Sequence, residues 1–128
     1  METLTTNDIC VSVETFYQSD ASQEALNKFL FAYQISIENK SDSTVQLMGR
    51  HWVVIDSNGE KKEVEGEGVV GEQPILEPGQ SYQYISGCQL KTDIGKMHGE
   101  YFMKKIATGS NLIVKIPEFK LVAPFKLN

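Results

Sequence analysis

The sequence contains no apolar run approaching the ~20 residues that a membrane-spanning helix needs, which excludes a transmembrane helix. Its start, METLTTNDIC, lacks a basic stretch followed by an apolar one, so no secretory leader is expected. Only two cysteines are present, Cys10 and Cys88, too few for a disulfide framework. Reduced thiols and the missing leader together point to a cytoplasmic protein. Basic residues are also short: 12 Lys and Arg stand against 17 Asp and Glu, for a net charge of −5. Nucleic-acid binding therefore has no overall electrostatic support. No segment with helical periodicity reaches ten residues, which leaves strands to build the fold.

What is present is period-2 alternation bounded by turn residues. Ile9, Val11 and Val13 alternate with Cys10, Ser12 and Glu14. Phe29, Phe31, Tyr33, Ile35 and Ile37 share one face of the clearest strand, which Asn39 to Ser43 close with turn chemistry. Arg50–Asp56 is apolar on both faces, with Trp52 and Val54 on one and Val53 and Ile55 on the other, as in a central, covered strand. Asn58-Gly59 predicts a type I′ hairpin, and Lys61–Glu65 returns as a polar strand. Pro78-Gly79 predicts a type II turn, followed by a strand carrying Tyr82 and Tyr84. Met97–Lys105 and Leu112–Ile116 form a last pair, which Pro117 interrupts before Phe119 and Leu121. Met1–Asn7 reads as a loose arm, and Gln18–Lys28 as a loop with one helical turn capped by Ser22. Short strands with turn signals every ~8–12 residues predict one domain, an all-β antiparallel β-sandwich.

The densest stretch is Gly66–Cys88, GEGVVGEQPILEPGQSYQYISGC, which holds five of the ten glycines. Its Gly66, Gly68 and Gly71 have the Gly-x-Gly-x-x-Gly spacing of a dinucleotide fingerprint. That chemistry needs a helix N-terminus behind the glycines, and Gln73-Pro74 precludes one. Two readings of the loop remain: glycines that supply turn geometry and close packing, or a nest of N–H groups holding a phosphate, with Arg50 as counter-charge. Five glutamates, from Glu63 to Glu77, crowd this region, whereas lysines dominate from Lys91 onward. Solvated strand faces account for that asymmetry, which can also steer a charged partner.

The soft metal-ligand types His51, His98, Cys10 and Cys88 show no paired ligand spacing, so no metal site is expected. His51 beside Trp52 reads as a hydrogen-bonded structural histidine, Cys88 as an inert thiol, and Asp56 and Asp93 as turn residues. No nucleophile, base and orienting group assemble, so neither an enzyme nor a cofactor is expected.

Several pieces together resemble one family. They are Arg50-His51-Trp52, the turn at Asp56–Gly59, the run from Gly66 to Pro74, Leu76-Glu77-Pro78-Gly79, Tyr84–Cys88, Met97–Tyr101 and Ile116–Phe119. In combination they look like the ApaG family, over nearly the whole chain from about Ile9 to Pro124. The resemblance implies a fibronectin-type-III-like sandwich in a small bacterial cytosolic protein. It also implies a genetic association with cobalt and magnesium handling. Related domains in eukaryotic F-box proteins and in a DNA-polymerase-interacting protein imply protein–protein interaction. One departure is visible: Gly49 stands where the family usually has serine before Arg-His-Trp.

The expected function is therefore a non-enzymatic interaction module with a protein partner, no nucleic-acid or membrane partner, and weak homo-oligomerisation. Gly66, Gly68, Gly71, Arg50 and His51 are its expected contact residues. The alternatives are a phosphate, pyrophosphate or nucleotide binder at the same loop, and a divalent-metal binder.

Overall fold

A computed structural model describes residues 1–124, and its regular structure is nine strands and one short 3-10 turn. The strands are β1 (Glu2–Thr6), β2 (Ile9–Tyr17), β3 (Phe29–Asn39), β4 (Val45–Asp56), β5 (Lys61–Glu67), β6 (Ile75–Leu76), β7 (Ser81–Leu90), β8 (Ile94–Lys105) and β9 (Asn111–Val122). They form two antiparallel sheets, ordered β1-β2-β3-β7 and β5-β4-β8-β9, with β6 paired to the start of β4. The two sheets stack as a sandwich, as the alternation predicts. None of the described residues forms a helix long and apolar enough to cross a membrane.

The core is the sum of the inward-facing alternate residues. Val11, Val13, Phe31, Ile35 and Ile37 from one sheet meet Trp52, Tyr101, Met103, Val114 and Leu121 from the other, all buried. Tyr33 of β3 reaches across to Trp52 and Phe119, with ring centroids 5.4 and 5.9 Å away, and Trp52 meets Phe119 edge-on. Such tilted and edge contacts add to the burial that drives the layers together. The Tyr84 and Tyr101 hydroxyls hydrogen-bond to each other across the layers.

Two buried polar side chains bracket β4. Asn39, fully buried just before the turn into β4, donates from Nδ2 to the Ser43 carbonyl at 2.8 Å and the Leu76 carbonyl at 3.0 Å. Its Oδ1 accepts from the Ser41 amide and hydroxyl, and its backbone joins Gly79 and Gln80. At the other end, Asp56 accepts from the Lys91 amide at 2.7 Å and from the Thr92 hydroxyl. Each latch ties β4's sheet to a turn leading into or out of β7.

The structure departs from the sequence pattern at several points. Met1–Asn7 is not a loose arm: Glu2–Thr6 pairs with Val13–Ile9, and the turn uses Asn7 and Asp8 at φ 52° and 63°. Asn and Asp tolerate that left-handed region because their short polar side chains bond locally. Ser22 does not cap the turn over Glu24–Leu26; its Oγ accepts from the Leu30 amide and donates to the Gln18 carbonyl. At Asn58-Gly59 only Gly59 has positive φ, 91°, and Asp56 N–H bonds the Glu60 carbonyl. That is a three-residue loop closed by a left-handed glycine, not a type I′ turn. Pro117 does not interrupt β9, because a register shift sets Pro117 and Glu118 opposite His98 alone. A bulge needs no ladder N–H at its extra residue, so proline is accommodated there.

Replacing Asn39 by Ala should lower stability by about 2–3 kcal/mol, since it strands buried carbonyls; a urea midpoint within experimental error of wild type would refute that role. Burial also raises the Tyr84 and Tyr101 hydroxyls above the ordinary 10.0. The folded state holds protons that the unfolded chain releases, so this stabilisation is complete below pH 10 and is lost as pH climbs beyond it. Urea midpoints should be level from pH 7 to 9 and fall above 10, less steeply in a double Tyr84→Phe, Tyr101→Phe variant.

Candidate functional site

The Gly66–Gly71 run leaves the end of β5 and folds into a tight hairpin. Val69 and Glu72 exchange both backbone hydrogen bonds, at 2.8 and 2.9 Å, across a tip made of Val70 (φ 48°) and Gly71 (φ 79°). Positive φ at both tip residues is the type I′ geometry. The three glycines serve different ends. A Cβ on Gly66 would lie 2.8 Å from Arg50 Nη1, so this glycine makes room for the guanidinium. A Cβ on Gly68 (φ 61°) would lie 2.1 Å from the Glu72 carbonyl oxygen, so that one permits a close backbone crossing. Gly71 faces open space and supplies only its left-handed φ.

Arg50, on β4, donates from Nη1 to the carbonyls of Glu67 at 3.0 Å and Gly68 at 2.9 Å. Gly68 N–H bonds the Met48 carbonyl at 2.9 Å, and Gln73 Nε2 bonds the same oxygen. The N–H groups of Gly68, Val69 and Glu72 are thus spent on backbone carbonyls. Carbonyl oxygens, not N–H groups, converge on the arginine. That polarity suits a pinned hairpin and opposes a bound phosphate, which needs donors. Val69 is buried in the core and anchors the base of the hairpin, and Tyr82 donates its hydroxyl to Glu72 Oε2 at 2.9 Å.

The structure brings Arg50, Gly66 and Gly68 together and places Gly71 at the tip. His51 it places elsewhere. Adjacent strand residues point to opposite faces, and His51 lies on the outer face of the five-stranded sheet, with Nε2 3.8 Å from Glu63 Oε1. His98 lines the same shallow outer groove as His51. Among the described residues no three His, Cys, Asp or Glu side chains are grouped to hold a metal. Gly49 backs onto the Gly66 carbonyl, 3.2 Å from where its Cβ would be, so β4 and β5 approach closely at that point.

A second feature was not legible in the sequence. Between the β7 and β5 edges lies a cleft of about 230 Å³, floored by Tyr33, Trp52, Val54 and Met97 and bordered by Arg50, Lys62, Ser86 and Cys88. Burial pushes the Cys88 thiol up to about 11, against a weaker pull from Lys62, so it stays protonated and unreactive near neutrality. These residues come from five strands, and no local spacing could have grouped them.

The model of the ApaG domain matches residues 19–105. The chain belongs to the ApaG family. An ApaG protein of Acidithiobacillus ferrooxidans is 45% identical over 123 residues, covering 96% of each chain. That of Brucella anthropi is 50% identical over 119 residues, covering 93% of this chain and 91% of its own. A crystal structure described as the ApaA protein of Bordetella pertussis superimposes with a TM-score of 0.88 at 39% identity, covering 91% of this chain and 94% of that one.

Gly68→Ala should cost at least about 2 kcal/mol, adding a backbone clash to the left-handed strain, whereas Gly71→Ala should cost about 1 kcal/mol from strain alone. Thermal or urea unfolding of the two variants checks the order, and equal costs would refute the close crossing at Gly68.

Proposed function

We propose that this chain is a non-enzymatic protein-interaction module whose contact surface is the Gly66–Gly71 hairpin. The observation that carries this reading is Val70. It is a β-branched residue held at φ 48° and 62% exposed at the tip of a hairpin pinned by Arg50, the Met48 carbonyl and buried Val69. Left-handed backbone at such a residue is disfavoured and persists where the surroundings impose it. A rigid apolar knob loses little conformational freedom on docking, which favours its use as a contact. Ile75, 55% exposed after the hairpin, adds apolar area.

The Gly68, Val69 and Glu72 N–H groups, already bonded to backbone carbonyls, and the neighbouring Glu67 and Glu72 carboxylates weigh against the phosphate alternative at this loop. Among the described residues His51 and His98 share a groove with no third His, Cys, Asp or Glu grouped to hold a metal, which weighs against a metal site. The raised Cys88 thiol and the His51–Glu63 contact offer no activated nucleophile, which supports a binding role over a catalytic one. Two free cysteines suit a reducing, cytoplasmic setting.

Val70→Asp should lower the melting temperature by no more than about 2 °C, since the side chain is exposed and Asp tolerates the left-handed backbone, and should abolish capture of bacterial proteins by the immobilised chain. Unchanged capture would remove the hairpin as the contact. A saturable thermal shift with pyrophosphate or a nucleotide, lost on Gly68→Val, would overturn the interaction reading in favour of the small-molecule one.

A further inference from the structure

The two sheets end in four edges, and they are not equally guarded. β1 and β9 lie side by side, where Asn7 Nδ2 bonds the Ile113 carbonyl and Thr6 Oγ1 accepts from the Lys115 amide. β5 (KKEVEGE) carries a charge at five of its seven positions, a common device against unwanted pairing. β7 (SYQYISGCQL) is ten residues long and has no charged residue and no proline. Among the described residues no strand pairs with its far side. An unguarded edge of that length is a template for another strand.

The cleft described above runs alongside Ser86–Gln89 of this edge. Its charged lining residues are Arg50 and Lys62, both cations, in a chain whose net charge is −5. Neither forms an ion pair among the described residues, and both of Arg50's hydrogen bonds leave from Nη1. Guanidinium carries five donors, so Nη2 and Nε are left to bind an acceptor. The inward-facing residues of β7 are Tyr82, Tyr84, Ser86 and Cys88, and a strand added beside it would continue the pleat. Every second side chain of that strand would enter the cleft over Tyr33 and Trp52, where a carboxylate meets two unpaired cations. The remaining side chains would lie beside Ile85, 63% exposed on the outer face, which favours β-branched neighbours.

We infer that the free edge of β7 takes up an extended segment of a partner protein as an added strand, with an acidic side chain of that segment seated between Arg50 and Lys62. This rests on the interaction role proposed above and names the chemistry of the partner: an extended, β-branched segment with a central glutamate or aspartate. The Tyr82–Glu72 hydrogen bond makes the β7 edge continuous with the hairpin, so one partner can span both.

The test is an NMR titration of the isotope-labelled full chain with capped seven-residue peptides of alternating valine and threonine. One carries glutamate at its centre, one lysine, and one the glutamate with alternate backbone nitrogens methylated; glutarate serves as the small-carboxylate probe. The glutamate peptide should give saturable shifts of the Gln83–Gln89 amides and at least tenfold slower hydrogen exchange along β7. Binding should weaken at least tenfold with the lysine peptide, with the methylated peptide and with Lys62→Glu, an exposed change whose fold is checked by an unchanged melting temperature. The inference is overturned by silence at β7 with millimolar peptide, or by equal binding of the methylated or lysine peptide. Glutarate alone reproducing the shifts, or β7 shifts that follow protein concentration without peptide, overturns it as well. Repeating the titration on Val70→Asp separates the two ideas: peptide binding retained with capture lost supports both, and capture intact with β7 silent sinks the strand-addition site alone.

Discussion

Asn39 is the interaction on which the sandwich register depends. Apolar burial brings two sheets together but is non-directional, so it does not choose between neighbouring alignments. Asn39 does, because its amide is fully buried and every polar atom of it must find a partner. Its partners lie in the β3–β4 turn, on β6 and in the turn entering β7. Asp56 repeats the arrangement at the far end of β4 through Lys91 and Thr92. With both ends of β4 tied to the turns flanking β7, the aromatic contacts among Tyr33, Trp52 and Phe119 have a single alignment in which to form.

The same frame sets the character of the glycine-rich hairpin. Arg50 departs from β4 next to Gly66, and the absence of a side chain there lets the guanidinium lie on the backbone and collect the Glu67 and Gly68 carbonyls. A glycine pattern associated with phosphate binding is used here for the opposite polarity. The difference is one of backbone direction: a helix N-terminus exposes N–H groups, while this turn aims carbonyls at an arginine. The consequence is a stiff protrusion with an apolar tip, next to a cleft whose charge is the reverse of the chain's average.

Strand positions were readable because the sandwich buries one face of most strands, which imposes period-2 alternation on β2, β3 and β7 to β9. The type II turn at Pro78-Gly79 was readable for the same local reason, with Gly79 at φ 88° and Gln80 N–H bonded to Glu77. Elsewhere the sequence pattern and the structure part company. Glu2–Thr6 is exposed along most of its length and carries little alternation, so its pairing depends on β2 and β9 being there to receive it. Pro117 reads as a break in any single strand, and it is tolerated because β9 bulges past His98, where the extra residue owes no N–H to the ladder.

The sequence by itself determined the all-β class, the core residues of the main strands and the family, because each of these is written in local alternation, turn chemistry or contiguous motif. Only the tertiary structure decided that Arg50 collects the Glu67 and Gly68 carbonyls while His51 lies against Glu63. It alone decided that the N–H groups of Gly68, Val69 and Glu72 are spent on backbone carbonyls, and that Arg50, Lys62, Tyr33, Trp52 and Cys88 line one cleft. Those outcomes depend on which strands lie at the edges and how the two sheets are aligned. Contacts between residues far apart in the chain set both, and no short stretch of sequence carries them.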